Sequence, residues 1–405
     1  MTDTKDAAPT HSPLLPTYAR YPVTMDRGEG CWLIATDGRR YLDFGTGIAV
    51  TALGHAHPHL VEKLTEQVAK LWHTSNLYHI PGQERLAQRL VDSSFAYQAF
   101  FCNSGMEAME GSIKLARRYH AVTGNPQKYR IITVEGAFHG RSLATLAAAN
   151  NPKYLKGFGP KVDGFDNVPF ANMNALRAAI SDETAAILLE PVQGEGGIRA
   201  ASLDYLRQIR TACDEFGLLM VLDEVQSGMG RTGKLWAHEW AGIEPDIVGS
   251  AKGLGGGFPV GAVLAGEKAA QGFEPGVHGT TFGGNPLAMA AANAVLDVIL
   301  EPGFLAAVEQ KGALLTQGLE KLIARHPGIY EAVRGAGLLL GLKCVVPNGE
   351  VATALLHAGL LVVPAAENVI RILPPLIVSE AEIAIALDIL DKVAAGWPKA
   401  EGGKA

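Results

Sequence analysis

Apolar positions along this chain recur with two periods, and their alternation predicts its architecture. Between about Ala99 and Gly266, short apolar runs at 99–102, 130–134, 185–189, 218–222 and 262–265 alternate with helical patterns such as 106–120 and 203–216. Buried strands separated by amphipathic helices predict an α/β fold with a mainly parallel sheet. Beyond Pro286, helical patterns run to about Arg325, strand-like runs follow at 337–346, 360–364 and 369–373, and a helix closes the chain from Ser379. This order predicts a smaller α+β domain. Before about Leu71, the runs 32–35 and 40–44 are joined through Asp37-Gly38, a strong hairpin signal. The expected division is a segment 1–70 packing on the smaller domain, a large domain 71–300 and a small domain 301–405, with loose tails up to about Tyr18 and beyond Trp397.

Composition narrows the class. With 405 residues and 48% hydrophobic content, the chain can bury a large core in more than one domain. The net charge is -6 and the basic residues form no run of the kind that tracks a phosphate backbone or an anionic membrane, which argues against nucleic acid as a partner. The N-terminal stretch lacks the basic-then-apolar order of a signal peptide, and nowhere do enough apolar residues run together to span a bilayer, so a cytoplasmic location is expected. Cys31, Cys102, Cys213 and Cys344 lie far apart, which suggests reduced, mostly buried thiols, with neither a disulfide framework nor a metal site.

Three stretches carry candidate chemistry. Asn103-Ser104-Gly105-Met106-Glu107-Ala108 follows an apolar run and opens a helical pattern, so free backbone N–H groups and the helix dipole face a position suited to a phosphate. By itself this is first of all an ordinary helix cap. Asp223-Glu224-Val225-Gln226 ends an apolar run and sets a carboxylate at the sheet edge where α/β proteins bind ligands. An aspartate there can hold a ring nitrogen protonated, ligate a metal as in nucleotide hydrolases, or simply be solvated; no G-x-x-x-x-G-K-S/T motif supports the hydrolase reading. Ser250-Ala251-Lys252-Gly253-Leu254-Gly255-Gly256-Gly257 sets a lysine against glycines after a strand-like run, although a lone lysine is ordinarily a solvated side chain. Their co-occurrence in this order changes the reading. A pyridoxal 5'-phosphate site needs a lysine to form an imine, an acid to keep the pyridine nitrogen charged and an anchor for the phosphate.

At these residues the chain resembles the class III, or ω-amino-acid, aminotransferases of fold type I, over nearly its whole length. The likeness rests on six stretches in the family's order: Asn103-Ser104-Gly105, Gly136-Ala137-Phe138-His139-Gly140-Arg141, Glu190 to Gly197, Leu222 to Gly233, Ser250-Ala251-Lys252-Gly253, and His278 to Pro286. The resemblance implies a seven-stranded-type sheet in the large domain. It also implies that Lys252 holds the cofactor aldehyde and then acts as catalytic base, that Asp223 pairs with the pyridinium, that Gln226 bonds the ring hydroxyl, and that Phe138 stacks on the ring. By the same resemblance Ser104, Gly105 and Met106 cradle the phosphate, and Thr281 reaches it from the second subunit of a homodimer. Seen alone, Phe138 is ordinary core and Thr281 an ordinary turn residue.

Arg141 and Arg371 are the candidates for substrate carboxylates, with Thr280 beside them, since a guanidinium grips a carboxylate through two parallel hydrogen bonds. Arg371 lies within the apolar pattern Val369-Ile370-Arg371-Ile372, where an unpaired charge is costly, so it needs an anionic partner. The resemblance implies that this partner alternates between Glu195 and the α-carboxylate of glutamate. One departure stands out: Met106 occupies a cup position where the family usually carries threonine.

Within the family the likeness is strongest to the branch that uses N-acetylornithine, 2-oxoglutarate and glutamate, which implies a role in arginine biosynthesis. N-succinyl-diaminopimelate, ornithine, succinylornithine and 4-aminobutyrate stay open as donors. A decarboxylase or aminomutase fits less well, because Glu195 with Arg371 serves exchange between two unlike substrates; a non-catalytic binding protein would not need Lys252 with Asp223.

Overall fold

A computed structural model describes residues 13–398. The central sheet has seven strands: β1 (Gln98–Cys102), β2 (Arg130–Val134), β3 (Phe165–Val168), β4 (Thr184–Leu189), β5 (Leu219–Asp223), β6 (Ile247–Ser250) and β7 (Gly261–Ala265). They lie in the order β1-β7-β6-β5-β4-β2-β3. All run parallel except β7, which is antiparallel to both β6 and β1, so the mainly parallel sheet expected from the sequence is present. Every residue of β4, β5 and β7 is buried, which is why these strands read as continuous apolar runs: helices cover both faces.

The pleat divides that burial between two layers. Leu219 and Val221 pack with Met109, Ile113 and Ala116 of the helix Gly105–Val122, whereas Met220 and Leu222 pack with Leu206, Ile209 and Cys213 of the helix Leu203–Phe216. Ser202 caps the second helix by accepting from Tyr205 N, and Gly217 ends it in the left-handed conformation that glycine adopts without steric cost. The sheet's carboxyl edge is thereby fixed between two rigid layers.

A second, antiparallel sheet contains Tyr330–Ala336, Leu339–Cys344, Val369–Ile372 and Val363–Ala365, with Arg371 opposite Gly341. A third joins the expected hairpin Trp32–Ala35 and Arg40–Asp43 to Met25–Glu29 on one side and to Leu360–Leu361 on the other. The sequence pattern missed Met25–Glu29, β3 and Tyr330–Ala336, because MDRGE, FDNV and YEAVRGA carry too few apolar residues at the right spacing. The expected strand 360–364 is two short strands in different sheets. The helical stretch after Pro286 is two helices, Pro286–Ile299 and Phe304–Arg325, divided before Gly303 (φ 87°).

The sequence pattern does not announce a left-handed turn at Thr46, Gly47, Ile48 and Ala49, all of which have positive φ (47°, 61°, 68° and 62°). β-Branched residues resist that conformation, and hydrogen bonds hold it here. Asp43 Oδ1 accepts from Gly45 N (2.9 Å) and Thr46 N (2.8 Å), while the Thr46 hydroxyl donates to Leu373 O (3.0 Å), just beyond the Arg371 strand. All four cysteines are free and buried, and burial pushes the thiols of Cys102, Cys213 and Cys344 up to about 12. Among the described residues no single helix is long and apolar enough to cross a membrane. The tail expectation for residues 1–12 and 399–405 falls outside the described residues.

Candidate active site

The carboxyl ends of β1, β2, β4, β5 and β6 converge on a cavity of about 520 Å³. Each strand delivers chemistry at its last residue or in the loop after it: Ser104, Gly105 and Met106 after β1, Phe138 to Arg141 after β2, Glu190 after β4, Asp223 on β5, and Lys252 after β6. Val50, which follows the left-handed turn, adds part of the wall.

Lys252 sits in a single 3-10 turn with φ 45°, a non-glycine residue held in the left-handed region, as functional residues often are. Its Nζ has no hydrogen-bond partner among the described residues. Desolvation, reinforced by the Arg371 charge, pushes its ammonium down from 10.5 to about 8 against the opposing pull of Glu195, Asp223 and Glu190. The amine therefore exchanges protons close to neutral pH.

Asp223 is 4% exposed and doubly held: His139 Nδ1 donates to Oδ2 (2.8 Å) and Val225 N to Oδ1 (3.0 Å). Burial disfavours the His139 cation, but the bond and charge of Asp223 outweigh it and raise its pKa. Glu190 accepts from Phe138 N (2.8 Å) and Gly194 N (3.1 Å), so one carboxylate ties the aromatic wall to the loop that carries Glu195. Burial, then the Asp223 charge, pushes Glu190 up to about 7. Gln226 has a buried, unpartnered Oε1, and the 194–197 loop runs so close to it that a Cβ on Gly194 would lie 2.3 Å from its amide.

At the first turn of Gly105–Val122, Ser104 Oγ accepts from Glu107 N (3.2 Å), while the amides of Gly105 and Met106 have no intrahelical acceptor. Met106 lines the cavity and is 37% exposed, so the cup offers backbone N–H groups and a thioether where a hydroxyl would otherwise stand. Arg371, 1% exposed, has the partner its setting demanded: Nη1 lies 2.5 Å from Glu195 Oε1, and Nη2 donates to Pro364 O (3.3 Å). Arg141 lies on the cavity wall with no carboxylate partner among the described residues, its guanidinium 5.4 Å from the Phe138 ring centroid and 4.1 Å from that of Tyr154. Thr280 Oγ1 accepts from Asn103 Nδ2 (3.4 Å) and Gly283 N (3.0 Å), beside the cup. Thr281 is exposed and does not line the cavity of its own chain. The sequence reading gives no role to Val50, His139, Glu190 or Tyr154, although His139 and Glu190 lie in stretches that carry the resemblance; the first three line the cavity.

The family described as aminotransferase class-III matches residues 16–394. The chain belongs to the class-III aminotransferases. Among curated class-III relatives it is similar to the acetylornithine aminotransferase of Mesorhizobium japonicum, with 61% identity over 93% of this chain and 94% of that protein. It is likewise similar to that of Brucella melitensis, with 59% identity over 94% of each. Among solved structures, N-acetylornithine aminotransferase from Stenotrophomonas maltophilia superimposes with a TM-score of 0.81 at 37% identity, covering 93% of this chain and 96% of that one. Ornithine aminotransferase from Toxoplasma gondii gives 0.91 at 28% identity, covering 95% and 92%.

Class-III aminotransferases use pyridoxal 5'-phosphate, and the residues present fit it. The cavity joins first-turn helix amides, an aromatic wall at Phe138, a buried aspartate, an unpartnered amide oxygen on Gln226 and an unpaired amine on Lys252.

Proposed function

We propose that this class-III aminotransferase transfers the free amino group of N-acetylornithine to 2-oxoglutarate, forming glutamate, as a cytoplasmic homodimer in arginine biosynthesis. The observation that carries the reading is the ion pair between buried Arg371 and partly exposed Glu195, at 2.5 Å. N-acetylornithine has no carboxylate at its reacting carbon, so Glu195 stays on Arg371 and the guanidinium is never left bare; glutamate brings its own α-carboxylate and displaces Glu195. The relatives at 61% and 59% identity, both acetylornithine aminotransferases, support the same donor.

Bound pyridoxal phosphate supplies an aldehyde for the amines of lysine and substrate and a positively charged ring that withdraws electrons from the substrate carbon. Around it, Asp223, oriented by His139, holds a proton at the ring nitrogen, and Phe138 and Gln226 fix the ring's face and hydroxyl. The amides of Gly105 and Met106, with Ser104, take the phosphate. Lys252 Nζ, desolvated and without a hydrogen-bond partner among the described residues, would take the proton from the substrate carbon as catalytic base. Arg141, free of any internal acid, binds the substrate carboxylate remote from the reacting amine, with Thr280 alongside.

Thr281 serves the phosphate of the partner's site. Exposed Trp72, Leu77, Tyr78 and Phe282 supply apolar surface for that interface, and the His73–Phe282 ring contact (5.2 Å) joins their segment to the Thr281 turn. In this reading a segment 1–70 packs on a small domain 301–405, beside a large cofactor-binding domain 71–300. A donor panel with 2-oxoglutarate tests the proposal: kcat/KM for N-acetylornithine should exceed that for ornithine, succinylornithine, N-succinyl-diaminopimelate and 4-aminobutyrate. A higher value for any of these would reassign the donor.

A further inference from the structure

We infer that Tyr154 is a positioning residue for the remote carboxylate of both substrates: its ring face holds the Arg141 guanidinium at the angle from which that guanidinium can grip a carboxylate. The inference rests on the proposed role of Arg141. Three observations carry it. Arg141 has no acid partner among the described residues, so no ion pair fixes its long, rotamer-rich stem. Its guanidinium instead sits in the angle between two aromatic rings, 4.1 Å from the Tyr154 centroid and 5.4 Å from that of Phe138, the rings being 6.1 Å apart and nearly perpendicular (85°). Tyr154 does not line the cavity, whereas Arg141 and Phe138 do, so Tyr154 acts on a substrate only through Arg141.

The geometry separates the two jobs of the guanidinium. An aromatic ring takes its flat face, and a carboxylate is gripped by the N–H groups along its edge, so ring stacking orients the group without consuming the donors a substrate needs. An internal carboxylate in place of Tyr154 would orient Arg141 equally well but compete with the substrate. Tyr154 is itself fixed from outside the site: it lies on the short helix Pro152–Leu155, whose cap Asn151 Oδ1 accepts from Lys153 N (3.0 Å). The two rings thus pre-set Arg141 before any substrate arrives, which lowers the ordering cost of binding.

The test compares the cofactor-loaded wild type with Tyr154→Leu, Tyr154→Gln and Tyr154→Phe, each checked for an unchanged melting temperature. Losing the ring should raise KM for N-acetylornithine and for glutamate about tenfold while leaving kcat within about twofold, because the lost interaction is made equally in ground and transition states. Tyr154→Phe should restore KM to near the wild-type value. N-acetylputrescine, which is N-acetylornithine without its carboxylate, should be used equally well by wild type and Tyr154→Leu. Unchanged KM for the carboxylate substrates in both non-aromatic variants, or an equal loss with N-acetylputrescine, overturns the inference. Wild type that ignores N-acetylornithine would instead refute the proposed donor, and the glutamate arm would still judge Tyr154.

Discussion

The depressed pKa of Lys252 makes the cofactor-free protein less stable than it would be without that amine. The unfolded chain keeps the lysine charged up to 10.5, whereas in the folded site the ammonium gives up its proton at about 8. The sign follows from proton counts: between those values the unfolded state binds more protons, so stability rises with pH, and below about 8 the full penalty of the confined charge is present. At 1.36 kcal/mol per pH unit the penalty at pH 7 is up to about 3 kcal/mol. Lys252→Met removes the charge, keeps a flexible chain of similar length, and leaves the left-handed backbone (φ 45°) equally strained in both proteins. For 405 residues, with an unfolding entropy of about 2.1 cal/mol/K each, the cofactor-free variant should melt about 3–4 °C above cofactor-free wild type at pH 7. Calorimetry at matched protein concentration measures this, and the gap should close as pH approaches 10.5. A variant that melts below wild type at pH 7, or a gap that persists at high pH, would refute the claim that desolvation depresses this amine.

Two further outcomes follow from the geometry. Arg371→Ala strands Glu195 and removes the guanidinium that meets glutamate, so single-turnover rates with glutamate should fall about a hundredfold and those with N-acetylornithine less than about tenfold; equal losses would contradict the exchange of partners on Arg371. If sites are shared, mixing inactive Lys252→Ala with inactive Thr281→Asp, whose charge repels the partner's phosphate, should restore part of the activity through heterodimers with one intact site, and no recovery after subunit exchange would argue for self-contained sites.

The site was legible in the sequence because a parallel sheet collects the carboxyl ends of its strands at one edge. Residues that follow the runs ending at Cys102, Leu222 and Val248 therefore had to meet, and they line one cavity. Arg371 was legible for a different reason, since a charge inside an apolar strand demands a partner, and Glu195 supplies it from 176 positions away. What could not be read were pairings whose members look ordinary alone. His139 on Asp223 and Glu190 beneath Phe138 and Gly194 are ties between separate strand ends, set by the sheet order rather than by local spacing. Tyr154 sits on a four-residue helix with no buried residue and no periodic signal. The left-handed turn at Thr46–Ala49 runs against local propensity and exists because Asp43 and Leu373 bond it in place. The weak strands Met25–Glu29 and Tyr330–Ala336 form because neighbouring strands offer a register, which their own composition does not announce.

The central claim is that the free amino group of N-acetylornithine leaves with an oxo acid as glutamate and is not lost or rearranged by the enzyme alone. The most direct measurement supplies N-acetylornithine carrying a heavy-nitrogen label on that amine, together with 2-oxoglutarate, to the cofactor-loaded protein and follows the label by mass spectrometry. The account predicts labelled glutamate in a one-to-one ratio with N-acetylglutamate semialdehyde, and none when Lys252→Ala replaces the wild type. Consumption of the donor with release of carbon dioxide, or with the label retained on a rearranged donor in the absence of 2-oxoglutarate, would contradict it.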